Sequence, residues 1–188
     1  DYSRSSNFAP EPRANLKYQF AETQSISIGY GLHHQIQPLP TYYNREVSAS
    51  AGSKLTNINM DFTRSQHVVL GYDLVFAKEF HLKAEAYFQY ISNAPVEKTS
   101  SSFSMLNAGA DFATPNNINL VNKGTGRNYG LEITMEKFFN KGYYFLVTGS
   151  LFQSEYRGSD NVWRNTAFNG HYVVNALGGY QYVFGGKK

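Results

Sequence analysis

Two glutamates are the first residues of this chain whose spacing raises the question of catalysis. Glu132 and Glu136 lie four residues apart in a segment where polar and apolar residues alternate. In a strand this spacing separates the two Cα atoms by about 13 Å, whereas the two carboxyl groups of a glycosidase lie about 5 to 9.5 Å apart. We therefore interpret both glutamates as solvated carboxylates on one face of a strand.

The histidines and one glycine-rich segment do not make a cofactor or metal site either. His33 and His34 are adjacent, so their side chains point to opposite faces of a strand. The other three histidines lack the spacing of metal ligands: His67, His81 and His171. Gly124-Thr125-Gly126 is not followed by a helical pattern, which a phosphate-binding loop requires. With no cysteine in the chain and no nucleophile beside a base, the sequence predicts no enzyme, no metal and no cofactor.

Binding by loops is the chemistry that remains. Six residues in long polar connectors combine aromatic rings with charged groups, and we predict that they contact a ligand: Tyr42, Tyr43, Arg45, Asp160, Trp163 and Arg164. Aromatic platforms flanked by hydrogen-bonding groups suit sugars, peptides or siderophores. The alternative is that these aromatic residues only pack the loops onto one another.

The segment 81–91 indicates what holds such loops in place. Its even-numbered positions are apolar or aromatic, and its odd-numbered positions are mostly polar, which is the pattern of a strand with two unlike faces. About ten such residues, tilted, cover the apolar band of an outer-membrane barrel. A lysine facing lipid at mid-bilayer costs about 2 to 4 kcal/mol. Lys83 and Glu85 must therefore share the face that is turned away from lipid, and the alternation places them there.

The same alternation predicts seven long antiparallel strands in an up-and-down meander. Their predicted ranges are 13–20, 25–35, 67–76, 81–91, 129–136, 143–156 and 171–184. Apolar residues compete for both faces of 143–156, so its orientation stays open. The first long connector, 36–66, contains two prolines near its start, and any strand within it should be irregular. The last strand should end in a turn formed by the terminal Gly-Gly-Lys-Lys.

The connectors alternate between short and long along the whole chain, as they do in a barrel with short periplasmic turns and long extracellular loops. Aromatic residues gather beside the short turns: Phe20, Phe76, Phe80, Phe138, Phe139, Tyr143, Tyr144, Tyr182 and Phe184. A second group lies near the long connectors: Tyr30, Tyr90, Tyr129, Tyr156 and Tyr172. Two aromatic belts at the two membrane interfaces would explain both groups, although aromatic residues also favour strands in general.

Composition excludes several function classes. The net charge of +3 is mild and its lysines and arginines are scattered, so nucleic acid is not expected as a partner. No run of 18 apolar residues is present, so no membrane helix is predicted. The chain begins at Asp1 without a signal-peptide pattern, so we expect any signal peptide to lie upstream or to have been removed. Seven strands would leave two bare edges, which favours a slice of a longer protein.

The sequence as a whole resembles the C-terminal half of a TonB-dependent outer-membrane receptor of the Bacteroidetes type. The resemblance lies in the segments 10–18, 65–73 and 81–96. It is most specific in 122–132, where Asn-Lys-Gly-Thr-Gly-Arg-Asn-Tyr-Gly-Leu-Glu looks like the family's return from an extracellular loop into a strand. The order and spacing of these segments extend over nearly the whole chain.

The resemblance implies that residues 1–188 are part of a 22-stranded transmembrane β-barrel whose plug domain and remaining strands are absent here. It implies a location in the bacterial outer membrane and uptake of a scarce nutrient, such as a siderophore or an oligosaccharide, powered by the TonB complex. The implied partners are membrane lipid, the plug, the TonB complex, a small nutrient ligand and a surface lipoprotein.

Two alternatives remain open. A soluble all-β carbohydrate-binding or ligand-binding module would stay monomeric in plain buffer. A barrel slice would instead expose an apolar face and two strand edges, and we expect the isolated segment to self-associate through them. A small autonomous barrel or surface enzyme is disfavoured by the odd strand count and by the missing catalytic constellation.

Overall fold

A computed structural model of the protein describes residues 8–48, 52–109, 116–182 and 184–185. The strands are β1 Arg13–Ala21, β2 Gln24–Gln35, β3 Arg45–Ser48, β4 Gly52–Leu55, β5 Thr63–Phe76, β6 Phe80–Glu97, β7 Leu120–Asn140, β8 Tyr143–Arg157, β9 Trp163–Asn165 and β10 Tyr172–Tyr180. One helical turn, α1 Leu39–Tyr42, and a short 3-10 helix, Met105–Asn107, complete the described elements. Among the described residues, no helix is long and apolar enough to cross a membrane.

The predicted all-β meander of seven long antiparallel strands is confirmed. They form one sheet in the order β1, β2, β5, β6, β7, β8, β10, and β9 pairs with β8. Each long strand pairs with the long strand that precedes it along the chain. Short turns make this connection after β1, β5 and β7, and long loops make it after β2, β6 and β8. Between β7 and β8, Lys141 and Gly142 both have positive φ values, 55° and 85°, which matches the twist of a two-residue hairpin turn.

The middle of the sheet has an exposed apolar face. Ile28, Leu70, Leu131 and Leu151 lie in one row across the strands, and they are 47%, 53%, 43% and 63% exposed. In a soluble sandwich this row would pack against a second sheet. Within the described residues, the only other sheet is the small hairpin of β3 and β4. The buried apolar residues lie instead where the strands enter the long loops: Leu32, Ala94, Val96, Leu120 and Tyr156.

The opposite face is polar, as the period of two predicted. Lys17, Ser27, Glu85, Glu132 and Ser150 belong to one row across the sheet. The alternation in β6 places Lys83 on this face as well, where it forms an ion pair with Glu85 at 2.8 Å. The two faces of this sheet therefore differ in the way that a membrane barrel requires.

Aromatic side chains form two rows at the ends of the apolar face. In the lower aromatic row, beside the short turns, Phe80 stacks on Phe76 with ring centroids 5.2 Å apart, and Phe145 lies 6.2 Å from Phe80. The upper aromatic row, near the long loops, contains three exposed tyrosines: Tyr30, Tyr90 and Tyr129. Tyr172 is also exposed, but it pairs with Leu151 and so belongs to the mid-sheet row. Tyr156 was expected in the upper group as well, but its position in β8 lies on the polar face, and its side chain is buried.

Three strands run further into the long loops than the sequence predicted. β5 begins at Thr63 rather than at residue 67, β6 continues to Glu97 rather than ending at 91, and β7 begins at Leu120 rather than at 129. The extension of β6 contains Pro95, and the register shifts on both sides of Ala94. Such bulges accommodate a proline, which cannot donate a ladder hydrogen bond. The alternation of apolar and polar residues stops at this bulge, so the sequence predicted the end of the strand too early.

The structure settles the face of β8. Val147, Gly149 and Leu151 pair with the apolar positions of β7, so they belong to the apolar face. Leu146 and Phe152, which competed with them in the sequence, lie on the polar face. The pairing of β8 with β7 decides which side faces where, because the β8 sequence itself carries apolar residues on both sides.

Two further expectations are corrected. The first long connector contains a regular hairpin, because β3 and β4 pair without a register shift, whereas the sequence predicted only irregular strands there. The last strand ends at Tyr180 and not at 184. Residues 186–188 of the expected terminal turn lie outside the described part of the chain.

Candidate functional site

The polar face carries a network of charged side chains. Asp73 accepts a hydrogen bond from His81 Nε2 at 3.0 Å and lies 3.6 Å from the Lys17 ammonium group. His81 Nδ1 lies 4.0 Å from Glu136. These groups come from several neighbouring strands and form a charged surface. Within the described part of the chain, no three histidine or acidic side chains form a group that could hold a metal ion.

Towards the long loops, the polar face presents a histidine pair. The rings of His33 and His67 stack with their centroids 4.9 Å apart and their planes 4° from parallel. Arg13 Nη2 lies 3.2 Å from His33 Nδ1. Glu11 accepts a hydrogen bond from the His34 backbone N–H at 2.7 Å, and this bond holds the pKa of the Glu11 carboxyl below its usual value. The sequence separated these histidines by more than thirty positions, and only the β2–β5 register brings them together.

Asn57 ties the first long loop to the second. Its side chain is fully buried and donates to the carbonyl oxygens of Thr41 and Asn117 at 2.9 and 2.8 Å. Asn57 Oδ1 accepts from the backbone N–H of Leu120 at 3.0 Å. Because buried backbone groups need partners, one asparagine holds α1 beside the start of β7.

The second loop is also joined to the third. Ser159 Oγ donates to the Thr99 carbonyl oxygen at 2.7 Å, and the backbone N–H of Asp160 donates to Ser101 O at 3.2 Å. A Cβ atom at Gly158 would lie only 2.5 Å from Ser101 O, so this close approach requires glycine. The three long loops therefore form one connected layer above the strands.

The predicted ligand-binding residues fall into separate groups in this layer. Tyr42 ends α1, and its hydroxyl accepts from the backbone N–H of Gln37 at 3.2 Å. Tyr43 follows it and is 46% exposed, while Arg45 begins β3 and donates to Ser53 Oγ at 3.4 Å. These three belong to the first loop, whereas the other three predicted residues belong to the third loop.

In the third loop, Asp160 and Arg164 form a two-pronged ion pair. Arg164 Nη1 and Nη2 donate to the two carboxylate oxygens of Asp160 at 2.9 and 2.6 Å. The Arg164 guanidinium lowers the pKa of the Asp160 carboxyl and is itself held charged. Since the folded pKa is depressed, the pair supports the loop above the ordinary aspartate pKa, and this support is lost as the pH falls through the lowered value.

Trp163 lies on the other face of this hairpin. β9 pairs with β8, and residues 163 and 164 alternate across it, so Trp163 faces the same side as Arg157 while Arg164 faces the side of Tyr156. The structure therefore pairs Asp160 with Arg164 but turns the tryptophan away from them. Ligand contact by the six residues stays a prediction. No local pattern indicated Arg127 and Arg157, whose guanidinium groups lie beside the Trp163 ring. Arg127 is distant from Trp163 along the chain, and Arg157, although close in sequence, meets the ring only through the pairing of β8 with β9.

We expect the Asn57→Ala substitution to loosen the loop layer without unfolding the strands. Three backbone groups would lose their partner, and the expected cost is about 2 kcal/mol of local stability. Amide hydrogen exchange in 41–44 and 117–122 should then accelerate, while exchange in the centre of β6 should not change. Asn116→Ala, at an exposed neighbouring position, is the matched control. Equal exchange rates in the two variants would rule out the role assigned to Asn57.

The comparisons with known proteins rest on structure. The sequence matches no family model and no curated protein. The fold is similar to the ferric-catecholate import receptor Fiu from Escherichia coli K12 in its closed form, with a TM-score of 0.63 and 14% identity over 92% of this chain and 22% of that chain. It is also similar to the FrpB iron transporter from Neisseria meningitidis, with a TM-score of 0.51 and 14% identity over 81% of this chain and 21% of that chain.

The chain spans about a fifth of the length of these two structures, and both belong to TonB-dependent outer-membrane receptors. The shared feature is the antiparallel meander, since identity of 14% indicates common fold alone. The chain has the fold of a segment of the β-barrel of a TonB-dependent outer-membrane receptor.

Proposed function

We propose that this chain is part of the barrel of an outer-membrane receptor that binds a scarce nutrient and takes it up. The observation that carries the proposal is the contrast between the two faces of one sheet. Exposed leucines and isoleucines occupy mid-sheet positions on one face, while an ion-paired network occupies the other. Hydrocarbon satisfies the first face and a water-filled or protein-filled lumen satisfies the second.

The rest of the machinery belongs to the longer protein in this proposal. A barrel of 22 strands, a plug domain inside it and the TonB complex that supplies the energy are the features implied by the resemblance, together with a Bacteroidetes origin and a surface lipoprotein partner. The charged polar face would then contact the plug or the lumen water. No catalytic step is assigned to the chain.

The ligand would reach the barrel through the loop layer. Tyr42, Tyr43 and Arg45 of the first loop and the Asp160–Arg164 pair of the third loop are the contacts that we propose. Trp163 is the least suited of the six predicted residues, because it lies on the side of the apolar face. The names of the two similar structures refer to ferric catecholate and to iron, so a ferric siderophore is the first ligand class to test, and an oligosaccharide is the second.

The experiment is a gene deletion of the parent receptor, followed by growth on ferric siderophores or on oligosaccharides as the limiting nutrient. We expect growth on one of these nutrients to be lost and to be restored by the intact gene. A protonophore should abolish uptake, and the receptor should be found in the outer-membrane fraction. A parent protein that remains in the soluble fraction as a monomer would favour the alternative, a soluble all-β ligand-binding module.

A further inference from the structure

An arginine–tryptophan cluster lies above the upper aromatic row. It consists of Arg127, Arg157 and Trp163. The guanidinium carbon of Arg127 lies 4.4 Å from the centroid of the Trp163 ring, and that of Arg157 lies 5.3 Å from it. Two cations therefore share one aromatic ring, which attracts each of them but does not remove their mutual repulsion.

The strand register shows which way this cluster faces. β7 and β8 pair without interruption from Thr125 to Lys137, so Arg127 lies on the same face as Tyr129 and Leu131. Arg157 pairs with Trp163 and belongs to that face too. The cluster therefore lies on the apolar face, on the loop side of the upper aromatic row, and points away from the polar face.

Both arginines retain donors that could take a ligand. Arg127 uses Nε in its 2.6 Å bond to Glu155, and Arg157 uses Nε in a 3.2 Å bond to Thr125 Oγ1. Within the described residues, the terminal nitrogens of both guanidinium groups have no further hydrogen bond. The Arg127 side chain is 38% exposed. Glu155 balances one of the two charges, so the cluster retains an excess positive charge.

We propose that this cluster binds the phosphate groups of an outer-leaflet membrane lipid. The inference rests on the proposed function, because it requires the apolar face to contact hydrocarbon and the long loops to lie on the extracellular side of the membrane. Tryptophan is enriched at the interface between hydrocarbon and headgroups, and the forked donors of arginine match phosphate oxygens. A phosphate group beside both guanidinium groups would also offset their repulsion. The source is the lipid and not a nutrient, because the cluster faces away from the polar face.

Native mass spectrometry of the purified parent receptor with bis-phosphorylated lipid A tests the proposal. Arg157→Gln is the test variant, because it removes one charge and leaves no acidic group without its partner. Lys54→Gln removes the same charge from the exposed β4 strand and is the matched control. We expect about five-fold weaker lipid A binding in Arg157→Gln and wild-type binding in Lys54→Gln. Dephosphorylated lipid A should bind the wild-type receptor more weakly than the phosphorylated form.

Several results would overturn the proposal. Equal lipid A binding by wild type and Arg157→Gln would do so, and so would equal affinity for phosphorylated and dephosphorylated lipid A. Inorganic phosphate that displaces lipid A at equal concentration would indicate a site for free anions instead. Nutrient uptake by Arg157→Gln separates this inference from the proposed function. A receptor that takes up nutrient normally while its lipid affinity is unchanged contradicts only the lipid site, whereas a parent protein absent from the outer membrane contradicts the proposed function.

Discussion

A receptor carrying Lys137→Met is expected to lose about 3 to 5 kcal/mol of unfolding free energy. Lys137 is only 2% exposed, although lysine is rarely buried without partners. Its Nζ atom donates to the carbonyl oxygens of Phe138, Asn140 and Tyr143 at 3.2, 2.9 and 3.0 Å. It therefore binds the backbone of the β7–β8 turn, and its position in β7 lies between Phe80 and Phe145 of the lower aromatic row.

Two further contacts fix this lysine. Its ammonium group lies 3.8 Å from Glu79 and 3.8 Å from the centroid of the Tyr143 ring. Asn140 Nδ2 also donates to Glu79, so one carboxylate joins the preceding turn to this one. Methionine has a similar length but no donor, so the three carbonyl groups and Glu79 would lose their shared partner.

Denaturant unfolding of the parent receptor in lipid vesicles measures this effect. Lys123→Met is the matched control, because Lys123 is an exposed residue of the same strand, and its change should stay within about 0.5 kcal/mol. Amide hydrogen exchange at 137–145 should accelerate in Lys137→Met alone. A loss below about 1 kcal/mol would mean that water replaces the lysine at the turn.

The second large effect is expected from Ile133→Arg. Ile133 is 46% exposed on the apolar face and shares a row with Ala84 and Gly149. That row lies between the lower and upper aromatic rows, which places it near mid-bilayer in the proposed barrel. An arginine there should lower the unfolding free energy by about 2 to 4 kcal/mol in lipid vesicles.

Thr134→Arg supplies the control at the next residue. Thr134 faces the polar side, where its hydroxyl lies 3.3 Å from that of Thr148, and the new arginine would lie between Glu132 and Glu136 along the strand. We expect this variant to change the unfolding free energy by less than about 1 kcal/mol. If the two variants were equally stable, the apolar face would not be in contact with hydrocarbon, and a protein partner would have to cover it.

Much of this fold could be predicted because most of the long strands, unlike β8, alternate apolar and polar residues at every second position. In β6 the even positions are apolar, and Lys83 and Glu85 share the other side. This one strand is therefore enough to predict that the two faces of the sheet have different surroundings, one apolar and one polar. The short turns could also be predicted from the sequence, since Asn140-Lys141-Gly142 permits the positive φ values of a tight hairpin. The loop residues Asp160 and Arg164 could be proposed as charged loop groups, but no local pattern predicts that they pair.

By itself, the sequence determined the all-β class, the seven long strands, the polar face of β6 and the alternation of short and long connectors, because these depend on neighbours two to four residues apart. Tertiary structure alone decided the face of β8, the bulge that carries β6 through Pro95, the stacked pair His33 and His67, the pairing of Lys137 with Glu79, and the burial of Asn57. Each of these depends on register between strands or on contacts between loops. Such contacts join residues far apart in the chain, and no local periodicity encodes them.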